Sequence, residues 1–168
     1  AISGGATALL AGPLPGLSME DLTRTFELLL ASGLDIERSN TIRKRVARWT
    51  AGRLALALHP RPIAAWLLSD VPGDDPEVIG SGPCRGDRWS ARDVLALCRS
   101  VGLLEQLPSA VIAALEFETP KPWHAAANAE QTRIVASNQV AMEAARACAI
   151  ALGCHAKAMP KPLTGAAR

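Results

Sequence analysis

The sequence predicts an α/β fold, a layered sheet flanked by helices, on three observations. Helical and strand-like segments alternate along the chain, the pattern of helices layered on a sheet. An apolar run ending at Leu68 breaks into Ser69-Asp70-Val71-Pro72-Gly73-Asp74-Asp75, with acidic positions on both sides of a Pro-Gly turn. Ile2 leads through Ser3-Gly4-Gly5-Ala6-Thr7 into the apolar Ala8-Leu9-Leu10, a strand end that turns into a helix on small residues. At 168 residues, 49% of them hydrophobic, the chain suits one domain with a sizeable core.

Each element has its own local reason. Ser18 is an N-cap with Asp21 three positions on, and Leu22, Phe26, Leu29 and Leu30 follow at helical spacing until Gly33. A second helix is predicted over Glu37 to Arg48, and a third over Leu54 to Leu58 before Pro60 and Pro62 stop it. Ile63 to Leu68 reads as a buried strand that contains Trp66, and Ile79-Gly80-Ser81-Gly82-Pro83 as a second Gly-rich turn. Ser90 precedes a helix from Ala91 to Ser100 that stops at Gly102, and a short helix runs from Pro108 to Leu115. A loop broken by Pro120 and Pro122 leads to a strand over Thr132 to Ala136 and an Ala-rich helix over Asn138 to Leu152, closed by Gly153.

Composition narrows the functional classes. The formal charge of +2, from 18 basic and 16 acidic residues, is too balanced to imply a nucleic-acid or membrane partner, and the aromatic content of 4% supplies no rings among the basic residues for base stacking. No apolar run has the length of a membrane span and no basic segment opens the chain as in a signal peptide, so a soluble, cytoplasmic protein is expected. Cys84, Cys98, Cys148 and Cys154 lack metal-site or disulfide-framework spacing and read as reduced, structural thiols. His59, His124 and His155 lack ligand spacing, and Trp49, Trp66, Trp89 and Trp123 read as packing residues. The chain begins without Met, in what resembles the end of a strand, so a piece of a longer protein is expected.

The candidate chemistry gathers in three places. Ligands of open α/β sheets bind outside the carboxyl ends of the strands, which is where Asp70 and Asp74 are delivered. The small residues at 3–7 admit an anion close to the backbone, although a Gly-Gly pair is also an ordinary turn. Arg43 and Lys44, with Asn40 one helical turn earlier, offer a guanidinium fork and an ammonium to phosphate or carboxylate; a solvated helix face is the other reading of the same cluster. For Asp70 the alternative is a turn residue that caps local N–H groups.

In order and separation, SGGATALL, LLASGLDIERSNTIRK, AGRLALA and LLSDVPGDDPEVIGSGP resemble the glycerate 2-kinase (MOFRL) family, whose members are sometimes named hydroxypyruvate reductases. The resemblance continues more weakly through Ser137-Asn138 to Thr164-Gly165-Ala166-Ala167-Arg168. It implies a two-domain enzyme with an interdomain cleft, in which the γ-phosphoryl group of ATP passes to a hydroxyl of glycerate, most simply giving 2-phosphoglycerate, with Mg²⁺. Residues 1–168 would then be part of the N-terminal α/β domain, an incomplete Rossmann-like unit without its first strands and without the C-terminal domain, and a homo-oligomer is left open.

The resemblance places Asp70, Asp74, Arg43 and Lys44 in the catalytic machinery, with Asp70 and Asp74 toward Mg²⁺. It places Ser3, Gly4, Gly5, Thr7, Asn40, Ser69, Gly73, Ser81 and Gly82 against substrate or phosphate. The chain departs from the family where Arg45 follows the Arg-Lys pair in place of His, where Thr50-Ala51-Gly52 replaces Lys-Gly-Gly, at Cys84, and at Ala166. Two other functions remain open: a hydroxypyruvate reductase, although no G-x-G-x-x-G turn is present, and a diverged module that binds without turnover.

Overall fold

A computed structural model of the chain describes residues 1–10 and 12–159; the weaker terminal part of the resemblance at 164–168, Ala166 included, lies outside the described residues. Ten elements follow in order: β1 (Ile2–Ser3), α1 (Ala6–Leu10), α2 (Met19–Ala31), α3 (Ile36–Val46), α4 (Arg53–Leu58), β2 (Ala64–Ser69), α5 (Ala91–Ser100), α6 (Ser109–Leu115), β3 (Gln131–Ser137) and α7 (Asn138–Ala151). The three strands form a parallel sheet in the order β1-β2-β3, so the α/β expectation holds. Ile2 pairs with Leu67 and Ala64 with Gln131, which brings all three carboxyl ends to one edge.

The helix starts are set by caps. Ser18 and Ser90 each accept from the third residue on, Asp21 and Asp93, whose carboxylates return a bond to the capping residue. Helix α3 is capped by Asp35 and ends two residues before the expected Arg48, because Ala47 turns to extended backbone and bridges to Pro13. Its last carbonyls still find donors: the Thr50 hydroxyl reaches Lys44 O at 2.7 Å and Ala47 O at 3.0 Å, and the Arg53 guanidinium reaches Lys44 O at 2.8 Å.

Two apolar clusters hold the chain together. Leu22, Leu28 and Leu29 of α2 pack with Ile42 and Val46 of α3, Val94 and Cys98 of α5 and Val111 and Leu115 of α6. A smaller cluster joins Ala65 and Leu67 of β2 to Ala55 of α4, Ile79 and Cys84.

Burial differs from expectation in the sheet. β2 alternates along its length, and its outer face leaves Trp66 57% and Leu68 42% exposed, so Trp66 is not a core residue among the described residues. Its apolar run reads as a strand covered on both faces, and the described helices cover only one. Leu30 and Trp123 are likewise exposed, and of the four cysteines Cys84 and Cys98 are buried whereas Cys148 and Cys154 face outward. No described helix is long and apolar enough to cross a membrane.

Candidate functional site

The parallel sheet delivers three chain segments to the same edge. Beyond β1, Ser3 and Gly5 are exposed and Gly4 is half-buried beneath Asp70; the Asp70 carboxylate occupies the position where a Cβ on residue 4 would stand. Only glycine leaves that room, so the small-residue loop and the acidic strand end form one surface. Beyond β2, the buried Ser69 hydroxyl lies 3.3 Å from both the amide and the carbonyl of Val71, pinning the start of the acidic loop. Beyond β3, the Asn138 side chain donates to the Asp70 carbonyl at 3.5 Å.

The rest of the acidic loop is a chain of turns. Gly73 and Asp74 both take left-handed backbone, at φ 84° and 53°, and the Asp74 amide donates to Val71 O at 3.1 Å. Across from it, Gly80, Ser81 and Gly82 are left-handed in succession, at φ 57°, 64° and 60°. The Ser81 hydroxyl meets that of Thr7 at 2.9 Å, while Ser81 O and Gly82 O accept from the amides of Ala51 and Gly52 at 3.0 and 2.7 Å. Ser3, Gly4, Gly5, Thr7, Ser69, Asp70, Gly73, Asp74, Ser81 and Gly82 are therefore linked around the carboxyl ends of the strands.

The basic helix distributes its residues otherwise. Asn40 is half-buried, and α3 packs among α2 and α6, not against the strand ends. The Arg43 guanidinium lies 5.2 Å from the centre of the Phe26 ring, and among the described residues no acceptor reaches it. Lys44 is 5% exposed, and its ammonium sits 3.0 Å from Asp87 and 3.4 Å from Glu77, so the structure commits it to two carboxylates inside the protein and does not bring it to the strand ends. Both departures on this stretch are likewise internal. Arg45, 1% exposed, donates to Phe117 O at 2.8 Å and Trp89 O at 2.7 Å, and Thr50 is the C-terminal cap already described.

Sequence reasoning missed Glu77 and Asp87, because the Lys44 ammonium that joins them is remote in the chain, and it gave no role to Lys121. Burial, then the neighbouring Arg45, bring the Arg53 guanidinium down to about 10, and it remains a cation at neutral pH, bonded to carbonyls. Burial opposes the charge of Glu118, but the Lys121 ammonium and the Ala91 amide hold its carboxyl below the usual range. An open groove of about 680 Å³, lined in part by Arg53, Arg88, Lys121 and Trp123, contains none of the residues gathered at the strand ends.

The donor set at the strand ends suits a hard cation shared with phosphate. Among the described residues no donor reaches the carboxylates of Asp70 or Asp74, which leaves their oxygens available; no described group of three His, Cys, Asp or Glu side chains converges on one point. One or two carboxylates completed by water and substrate phosphates is the way proteins commonly hold Mg²⁺, so these residues fit it as part of a ligand set.

A parallel α/β sheet with exposed Asp70 and small-residue loops at its carboxyl edge defines the class, an α/β domain with a candidate ligand site at the strand ends. The family model described as "Domain of unknown function (DUF4147)" matches residues 1–116, and the chain belongs to this family. It is 37% identical over 169 residues to an Agrobacterium vitis protein named "Putative hydroxypyruvate reductase", covering 99% of this chain and 37% of that protein. It is 36% identical over 169 residues to glycerate kinase of Rattus norvegicus, covering 99% of this chain and 32% of that one. The crystal structure of a glycerate kinase from Thermotoga maritima superposes with a TM-score of 0.75 at 32% identity, over 90% of this chain and 35% of that one. The chain thus spans about a third of the length of the curated relatives it matches.

Proposed function

We propose that these residues are part of the N-terminal domain of a glycerate kinase that transfers the γ-phosphoryl group of ATP to the 2-hydroxyl of glycerate in the cytoplasm. The observation that carries the reading is the single surface formed by the Gly4 loop, the Asp70–Asp74 loop and the Ser81 turn, in a chain akin to enzymes named glycerate kinase. The two-domain organisation is supported by the length of the relatives and by the uncovered apolar face of β2, which a larger protein would bury.

In this reading Asp70 holds Mg²⁺, and Asp74 orients the glycerate hydroxyl and accepts its proton or holds the loop in place. Mg²⁺ bound there would neutralise charge on the transferring phosphoryl group. Arg43 and Asn40 would face the anionic groups of substrate or nucleotide once the remaining part of the enzyme is in place. Phosphoryl transfer depends chiefly on positioning and charge stabilisation, so residues 1–168 alone are expected to be inactive.

The test is phosphorylation of glycerate by the full-length protein with ATP and Mg²⁺. Asp70 is exposed, so Asp70→Asn should cut turnover by roughly 100-fold or more while leaving thermal stability in place. Unchanged turnover would remove Asp70 from the machinery. The hydroxypyruvate reductase reading is favoured by the name of the Agrobacterium vitis relative; NADH oxidation by hydroxypyruvate, without glycerate phosphorylation, would establish it in place of the kinase. Binding of glycerate or ATP with neither reaction would mark a non-catalytic module.

A further inference from the structure

The buried ions around Lys44 touch both halves of the candidate site through one residue, Glu77. Its carboxylate is 5% exposed and takes three donors: the Lys44 ammonium at 3.4 Å, the Arg88 amide at 3.0 Å and the Arg88 Nε at 2.9 Å. Its amide donates to the Asp75 side chain at 2.9 Å, and Arg88 also pairs with Asp75 at 3.5 Å. On its other side the Glu77 carbonyl lies under the Ser81 turn, so close that a Cβ on Gly82 would come within 2.7 Å of it. Glu77 thus stands between the acidic loop and the left-handed turn, its amide held within the loop by Asp75 and its carboxylate held by Lys44 and Arg88 from elsewhere in the chain.

Lys44 is held from behind by Asp87, 0% exposed, whose oxygens accept from the ammonium at 3.0 Å and from the Thr119 hydroxyl at 3.2 Å. Burying an ammonium between two carboxylates seldom stabilises a fold more than apolar side chains of the same volume. An ion cluster supplies what an apolar contact lacks, a fixed direction for each bond. The one direction transmitted outward is that of Glu77, which sets where the backbone leaving Asp74 must return.

We propose that Glu77 is a positioning residue for the site at the strand ends: clamped by Lys44 and Arg88, it fixes the acidic loop that carries Asp70 and Asp74 where that loop runs into the Ser81 turn. The effect on turnover rests on the kinase reading; the effect on the loop does not. Lys44 then acts through Glu77, without touching a phosphate. Replacing Glu77 by Gln keeps the shape and removes the charge that the two cations hold.

The experiment uses the full-length protein and two readouts, steady-state kinetics with glycerate and ATP, and amide hydrogen exchange without substrates. Glu77→Gln is expected to speed exchange at residues 70–79 while leaving the α2 core unchanged. It should lower kcat by about tenfold or more with KM for glycerate within about twofold, since loosened geometry is felt in the transition state more than in ground-state binding. Lys44→Met should match it, and the double variant should be no worse than the poorer single variant, as residues acting as one unit behave.

Unchanged exchange at 70–79 overturns the proposal whatever the kinetics, as does normal kcat beside faster exchange. Faster exchange spread evenly through α2 shows a purely structural role and overturns it too. Wild-type protein that phosphorylates no glycerate counts against the kinase reading alone, and the exchange pattern then decides the positioning role. Should Glu77→Gln fail to fold, Arg88→Gln, at a side chain 66% exposed, releases the same carboxylate from one side and is expected to give the same local change at smaller size.

Discussion

Replacing Gly4 by Ala separates the geometry of the strand ends from the stability of the fold. The new methyl group would stand where the Asp70 carboxylate now lies, so one of the two must move. Residue 4 is not in left-handed backbone, and Ala is accommodated there without φ strain. Asp70 is exposed and turns outward about its own side-chain bonds, at a cost of order 1 kcal/mol for an off-rotamer position. Restoring van der Waals separation takes the carboxylate back by about 1 Å, a misplacement that costs an enzyme roughly 100-fold, or about 2.7 kcal/mol of barrier. The assay is kcat and kcat/KM of the full-length protein beside its thermal unfolding. Gly102→Ala is the control, because residue 102 has φ 66° in open space: about 1 kcal/mol of stability should go and turnover should stay. Wild-type turnover from a folded Gly4→Ala variant would refute the idea that Asp70 works from this position.

Three further outcomes test the scaffold. Ile42→Ala, at a fully buried position between the helices of the larger cluster, should cost about 2–5 kcal/mol in denaturant unfolding. Arg45→Lys gives up the fork that serves Phe117 O and Trp89 O together; Trp89 O keeps the Lys121 ammonium, so the loss falls on Phe117 O and should cost about 1–3 kcal/mol, and a loss near zero would show that an ammonium at residue 45 reaches Phe117 O as well. The Ser18 amide, with its hydroxyl, holds the Asp21 carboxyl below its usual range, and the Ser90 hydroxyl, with its amide, does the same for Asp93. Groups depressed on folding contribute stability above their unfolded pKa, about 4, and lose it as pH falls through the folded value, so a pH titration of the unfolding midpoint should decline there and decline less in the Asp21→Asn, Asp93→Asn double variant.

What the sequence made legible was local. Ser18 with Asp21 announces one helix start through chemistry that spans three residues, and Ser90 ahead of its helix announces another; the structure has both and adds Asp93 as the partner of Ser90. The strand ends were legible for the same reason, since a Gly-rich turn after an apolar run and an acidic turn after another are each complete within a few residues. That Gly4 lies under Asp70 was not, because the contact depends on the parallel register of β1 with β2. Lys44 shows the limit most clearly. Its neighbours Arg43 and Arg45 make it read as part of a solvated or phosphate-facing cluster, whereas its partners Glu77 and Asp87 lie 33 and 43 residues away with no spacing that links them. Trp66 fails differently: its strand has the composition of one covered on both faces, and composition does not say which residues supply the second cover.

The distribution of backbone strain supports the same location for the chemistry. Among the described residues, three that are not glycine take left-handed backbone, Ala51, Asp74 and Ser81, and all three belong to the loops that meet at this edge of the sheet. Each such residue costs on the order of 1 kcal/mol relative to glycine, and strain of this kind persists only where surrounding contacts over-determine it. For Ser81 those contacts are its hydroxyl bond to Thr7 and its carbonyl bond to Ala51; for Asp74 they are the Val71 carbonyl and, three residues on, the clamped Glu77. Glycine at 74 or 81 would relieve the strain and remove a carboxylate or the hydroxyl that meets Thr7. On the kinase reading proposed above, a role for these two side chains accounts for strain that glycine would relieve. Asp74→Gly should accordingly hold or slightly raise the unfolding midpoint while lowering turnover by at least the roughly tenfold expected for a lost proton acceptor or loop anchor. A variant that lost stability and kept turnover would place Asp74 in the scaffold instead.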